Sequence, residues 1–132
     1  MTQGGLKKRA AAAPTQRQLR VGEEIRHVLA GIFARQEFRD PELATAEITV
    51  TEVRVGLDLR HATVFVARLG RADVDALLPA FARASAYLRG QVAHALRLRR
   101  VPELSFQPDI ALEHAMAIER LLHRPDVARD LD

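Results

Sequence analysis

The stretch Ile48–Val66, ITVTEVRVGLDLRHATVFV, decides what kind of fold this chain adopts. Its first half belongs to a run rich in β-branched residues, Glu47 to Val55, and its second half to another, His61 to Arg68. Such residues suit a pleated, half-buried strand. GLDLR joins the two and is short enough for an antiparallel hairpin. In the second strand Ala62, Val64 and Val66 share one face, Thr63 and Phe65 the other. The first strand breaks its own parity, because Ile48 and Val50 fall on one face and Val53 and Val55 on the opposite one. A β-bulge near Thr51–Glu52 supplies the extra residue that brings all four back to a common face.

Working outward from the hairpin, the patterns become helical. Val21, Ile25, Val28, Leu29 and Ile32 recur at helical spacing and predict a helix from Gln16 to about Gln36. Pro41 ends that region, and Asp40 is placed to cap the turn it makes. Beyond the hairpin, a helical region runs from about Val74 to Leu98. Leu77, Phe81, Ala84, Leu88, Val92 and Ala95 form its apolar stripe, and Arg83, Arg89, His94 and Arg97 lie on the far side. Pro79 either opens this helix at its first turn or kinks it. Pro102 stops it, and Glu103 to Gln107 reads as a short third strand with Leu104 and Phe106 facing inward. A last helix, about Ile110 to His123, carries Leu112, Ala115, Met116, Ile118 and Leu122. Its polar end is expected to fray. The order is α+β, a three-stranded sheet with helices on one face. It divides the chain into a flexible basic arm (1–15), a central domain (16–108) and a C-terminal helix with an acidic tail (109–132).

A chain of 132 residues, 48% of them hydrophobic, can bury one small core. It has no cysteine, which removes disulfides, thiolate metal sites and cysteine nucleophiles and fits a reducing, cytoplasmic setting. No apolar run reaches the roughly 18 residues of a membrane span. The N-terminal alanines are interrupted by Pro14 and lack the leucine-rich core of a secretion signal. The formal charge is only +3, but it is unevenly spread. Met1–Arg20 holds five bases and no acid, Val74–Arg100 five arginines against Asp75 alone, and Glu113–Asp132 five acids against three arginines. That map suggests an anionic partner, with the acidic tail as a possible screen. All but two of the 20 bases are arginine, whose planar fork suits phosphate.

No catalytic constellation is visible. There is no phosphate-binding GxxxxGK[ST], no GxGxxG, no HExxH and no serine in GxSxG. His27, His61, His94, His114 and His123 lack metal-ligand spacing, and no cofactor or metal is expected. The aromatics are few, and Phe33, Phe81 and Phe106 read as core, which argues against a base-stacking sheet. GxxG, the backbone clamp of K-homology domains, is also missing.

Several strings together resemble the bacterial ribosome-binding factor A (RbfA) family. They are RVGEEIRHVLAGIF from Arg20, DPEL from Asp40, ITVTEVRVGLDLRHATVFV from Ile48 and ASAYLRGQVAHALRLRRVPELSF from Ala84. The resemblance covers roughly Arg17 to Leu122. It implies a type II K-homology-like fold (α-β-β-α-kink-α-β) in which a kinked helix pair replaces GxxG. The kink aligns with Ala84, Ser85 and Ala86, and Ala86 stands where the family has glycine. It further implies a cytoplasmic, non-catalytic assembly factor, monomeric when free. Such a factor binds the free small ribosomal subunit and its rRNA near the 5′-terminal helix and decoding region. It acts during late maturation and rRNA processing, and other assembly or initiation factors release it. The RNA-binding candidates are Arg17, Arg20, Arg83, Arg89, Arg97, Arg99 and Arg100, with Lys7, Lys8 and Arg9 as further contacts from the arm. Arg99 has a second possible role, packing its stem or pairing with Glu103. Arg100 can also neutralise carbonyls at the helix end. The alternative function is a protein–protein adaptor whose basic helix meets an acidic partner.

Overall fold

The computed structural model describes residues 13–68, 71 and 73–123, and in it the second strand of the hairpin is the central strand of the sheet. Strand β1 (Ile48–Val55) runs antiparallel to β2 (His61–Arg68). Val50 faces Val66, and the next pair is Glu52 with Phe65, so Thr51 is the extra residue of a bulge. Ile48, Val50, Val53 and Val55 are all buried, as the parity argument requires. Strand β3 (Glu103–Pro108) lies on the other side of β2 and parallel to it, with His61 beside Glu103 and Val66 beside Pro108. A parallel neighbour cannot be reached by a tight turn. The intervening helix makes the crossover.

Helix α1 (Gln16–Arg35) begins with a capping box, in which Thr15 and Gln18 satisfy each other's backbone N–H groups. Gln18 also donates through Nε2 to the Val55 carbonyl (2.8 Å), tying the start of the helix to the end of β1. The approach is close further along: a Cβ on Gly22 would stand 2.6 Å from the Val53 carbonyl oxygen. Only glycine lets the helix rest there. Ile25, Leu29, Ile32 and Phe33 are buried beneath it. The one-turn helix α2 (Pro41–Ala44) is capped by Asp40, whose Oδ1 accepts from the Glu42 N–H at 3.0 Å.

A 3-10 turn (Val74–Leu77) leads into α3 (Leu78–Leu96). Pro79 sits in the first turn, where its missing N–H has no intrahelical partner to lose. Phe81 is fully buried, stacks on Phe106 with centroids 4.9 Å apart and meets Phe33 edge-on at 5.7 Å. Each such buried side chain contributes about 1.5–3 kcal/mol of transfer free energy. One expectation needs correction here. Ala95, assigned to the apolar stripe, is exposed; the helix ends one residue later, at Leu96, and its cap Arg97 lies in the left-handed region (φ 53°). Ala84, Ser85 and Ala86, where a kink is expected, lie inside the continuous helical span Leu78–Leu96. Alanine holds helical angles where glycine would loosen them. Ser85 meanwhile donates its hydroxyl to the Leu104 carbonyl (3.4 Å), fastening this stretch to β3.

Helices α1 and α3 cover one face of the sheet, as expected. On the other face Thr63 and Phe65 are half-buried, and the Arg54 guanidinium lies 4.9 Å above the Phe65 ring. The last helix, α4 (Ile110–Leu122), adds nothing fully buried to the core. Leu112 and Met116 are half-covered, while Ile110, Ile118, Leu121 and Leu122 stand exposed. Its N-cap, Asp109, makes three attachments. Its N–H donates to the Val66 carbonyl (2.8 Å), its Oδ1 accepts from the Leu112 N–H (3.0 Å), and its Oδ2 accepts from the Thr51 hydroxyl (2.6 Å). The bulge residue is thereby joined to the helix cap. The basic arm up to residue 12 and the acidic tail from residue 124 lie outside the described residues.

Candidate nucleic-acid interface

The Arg60 carbonyl accepts a hydrogen bond from the Glu103 N–H (2.8 Å), which fastens the β1–β2 turn to the segment entering β3. Around this junction lies an open cleft of about 790 Å³. The first turns of α1 contribute Arg17 and Val21, the β1–β2 turn Asp58, Leu59 and Arg60, and α3 Arg89. The α3–β3 connection contributes Leu98, Arg99, Arg100, Val101 and Pro102. His61 and Glu103, adjacent in the sheet register, complete the lining. Five guanidinium groups therefore meet two carboxylates over a lining that includes Val21, Leu59, Leu98, Val101 and Pro102.

The guanidinium groups do not all do the same work. Arg89 is half-buried and donates through Nε to the Pro102 carbonyl (3.2 Å) and through Nη2 to the Val101 carbonyl (3.1 Å). It staples α3 to the connection that carries Arg99 and Arg100. Arg17, Arg60, Arg99 and Arg100 are exposed and have no carboxylate within 4.0 Å among the described residues. Outside the cleft Arg26 pairs with Glu23, Arg35 with Glu37, Arg54 with Glu52 and Arg71 with Asp73, while Arg20, Arg39, Arg97 and Arg120 are exposed with no carboxylate within 4.0 Å among the described residues. The cleft brings four such arginines, Arg17, Arg60, Arg99 and Arg100, together on one surface, where an anion would meet them.

The sequence candidates separate accordingly. Arg17, Arg89, Arg99 and Arg100 come together; Arg20 and Arg97 are exposed but do not line the cleft. Arg83 faces a second hollow beside Phe38 and Tyr87. There it holds Asp40 at 2.9 Å and Glu42 at 2.9 Å, fixing α2 against α3. Arg83 and Arg89 therefore do not form one basic flank with Arg97. Six residues apart, they turn to different sides of α3, and each already has protein partners. Arg99 makes no ion pair with Glu103, whose partner is His61 at 3.5 Å. Helical spacing gave no sign of Arg60, because it lies in a turn. The signal for it would have been the pairing of β3 beside β2, which sets His61 next to Glu103.

Among the described residues no group of three or more His, Cys, Asp or Glu side chains could hold a metal ion. No described helix is long and apolar enough to cross a membrane.

The family model for ribosome-binding factor A matches residues 17–122. Ribosome-binding factor A of Paramagnetospirillum magneticum is 52% identical over 124 residues, which is 94% of this chain and 87% of that one. The crystal structure of ribosome-binding factor A from Thermus thermophilus superimposes with a TM-score of 0.57 at 30% identity, covering 69% of this chain and 94% of its own. A Thermus thermophilus homology model, fitted into a cryo-EM map of a 30S–RbfA complex, gives a TM-score of 0.53 at 29% identity and covers 65% of this chain and 88% of its own. These proteins are named for binding a ribosome and not for a reaction, in keeping with a cleft of guanidinium groups. From Arg17 to Leu122 the chain belongs, in sequence and in fold, to the non-enzymatic ribosome-binding factor A family.

Proposed function

We propose that this protein binds the free small ribosomal subunit through its rRNA during late maturation and rRNA processing, near the 5′-terminal helix and decoding region. It acts as a cytoplasmic monomer, catalyses nothing and leaves when other assembly or initiation factors arrive. The observation that carries this reading is the set of four exposed arginines in one cleft, Arg17, Arg60, Arg99 and Arg100, with no carboxylate partner among the described residues. Guanidinium forks on a fixed backbone suit phosphate oxygens, which position a protein on RNA without reading sequence. The Thermus thermophilus relative fitted into a 30S complex supports the choice of subunit.

The test is co-sedimentation with free small subunits, free large subunits and joined ribosomes. Preferential recovery with free small subunits is expected, and equal recovery with all three, or with none, would refute the reading. The Arg99→Ala/Arg100→Ala double variant should bind small subunits more weakly. Its affinity should also fall less steeply with salt, because fewer counterions are released from the RNA. A partner of acidic protein would instead leave binding to protein-free rRNA absent.

A further inference from the structure

Within that RNA-binding reading, on which this inference rests, we infer that the β1–β2 turn is a rigid phosphate-binding jaw and that Arg60 is its contact residue. The turn is locked at every residue that matters. The Gly56 N–H donates to the His61 carbonyl and the Leu59 N–H to the Gly56 carbonyl, each at 2.9 Å. The Asp58 side chain accepts from the Arg60 N–H at 2.9 Å, and the Arg60 carbonyl accepts from the Glu103 N–H at 2.8 Å. Both backbone polar groups of Arg60 are therefore spoken for, one inside the turn and one by the start of β3. Its side chain is left exposed, without a carboxylate within 4.0 Å among the described residues.

The backbone conformation supports this assignment. Leu59 adopts φ 59°, a left-handed value that glycine or asparagine would reach at lower cost than a leucine. The leucine is half-buried and packs against the core cluster, so apolar contact holds the strained residue in place. Strain of this kind persists only where the surroundings over-determine it, and it gathers at binding sites. Here it fixes the residue next to the arginine. A fork presented from a locked backbone loses less freedom on meeting a phosphodiester than one on a loose loop. The ligand class is an RNA sugar–phosphate backbone lying in the cleft, shared between Arg60 and the Arg99–Arg100 segment.

The experiment is a salt titration of binding to purified free small subunits and to protein-free small-subunit rRNA, using the full chain. Arg60→Ala should weaken both roughly tenfold and reduce the slope of log affinity against log salt by about one. Its melting midpoint should stay close to that of the unaltered protein. Arg60→Lys keeps the charge and stem but not the fork, and should keep the salt slope while losing part of the affinity. If Arg60→Ala binds as the unaltered protein does while Arg99→Ala/Arg100→Ala is weakened, the jaw is refuted and the RNA-binding reading stands. If neither variant changes binding, the jaw is refuted together with the cleft as the contact surface, while the RNA-binding reading is judged by the co-sedimentation test. A loss seen with subunits but not with protein-free rRNA would assign the contact to a ribosomal protein and overturn the inference. An equal fall in melting midpoint and affinity for both Arg60 variants would make Arg60 a folding residue, with the same consequence.

Discussion

Replacing Arg89 by alanine separates two roles that its position alone leaves confounded. As a phosphate contact, Arg89 would matter only when RNA is bound. As a staple, it matters in the free protein, through its bonds to the Val101 carbonyl (3.1 Å) and the Pro102 carbonyl (3.2 Å). A hydrogen bond from a charged donor contributes about 1.5–3 kcal/mol net. Both bonds are part-buried, and water recovers some of the loss by solvating the freed carbonyls, so the pair is placed at about 2 kcal/mol. For a domain of this length that lowers the melting midpoint by about 6–10 °C. Thermal unfolding followed by circular dichroism measures it directly. Subunit affinity should fall too, because Arg99 and Arg100 lose the anchor of their segment. Arg89→Lys has one rotatable ammonium in place of the fork and should recover less than half of the stability. An unchanged midpoint in Arg89→Ala, with a salt slope reduced by about one, would make Arg89 a phosphate contact and refute the staple.

Gly22→Ala should lower the urea midpoint. The added Cβ would lie 2.6 Å from the Val53 oxygen, and overpacking of about 1–3 kcal/mol exceeds the helix-propensity gain of about 1 kcal/mol. An equal or higher midpoint would mean that α1 can slide off β1 at little cost. Asp109→Ala should cost about 1–2 kcal/mol through loss of the α4 cap. The Asp109 carboxyl is held below its ordinary pKa by the Thr51 hydroxyl first, then by the Leu112 N–H and nearby Arg54. Its contribution is therefore complete above the ordinary carboxylate range and fades as pH falls through the lowered value. The gap in melting midpoint between the unaltered protein and Asp109→Asn should close on acidification, and a gap independent of pH would show that the charge is irrelevant. Arg83→Ala should reduce small-subunit affinity less than Arg99→Ala/Arg100→Ala does, since a phosphate must first displace Asp40 and Glu42. Equal losses in a binding titration would count against that ranking.

Periodicity carried the fold because burial imposes it. The mismatch between Ile48/Val50 and Val53/Val55 is enough to demand a bulge, since four buried side chains cannot straddle a sheet. The Asp40 cap follows from its place before Pro41. The end of α3 at Leu96, short of the expected Leu98, did not follow, because the apolar stripe does not mark where the helix stops. The site was legible only in part. A helical wheel gives the angle of Arg89 but not the return of the chain at Pro102 that offers it two carbonyls. Arg83 looked free because its acids lie 43 and 41 residues away in sequence. Arg60 was missed for the same reason in reverse, since its neighbours in the cleft come from other elements.

The parallel pairing of β2 with β3 has a consequence for Glu113. Strands that run in the same direction begin at the same edge, so the residues entering β2 and β3 gather there and the residues leaving them depart from the other. Helix α4 starts at the far edge, about 20 Å away over six residues of strand. That exceeds the screening distance of about 8 Å in physiological salt. Glu113, one turn into α4, thus sits too far from Arg60, Arg99 and Arg100 to blunt their field by proximity. Strand direction therefore keeps this acidic group and the arginine cleft electrostatically apart.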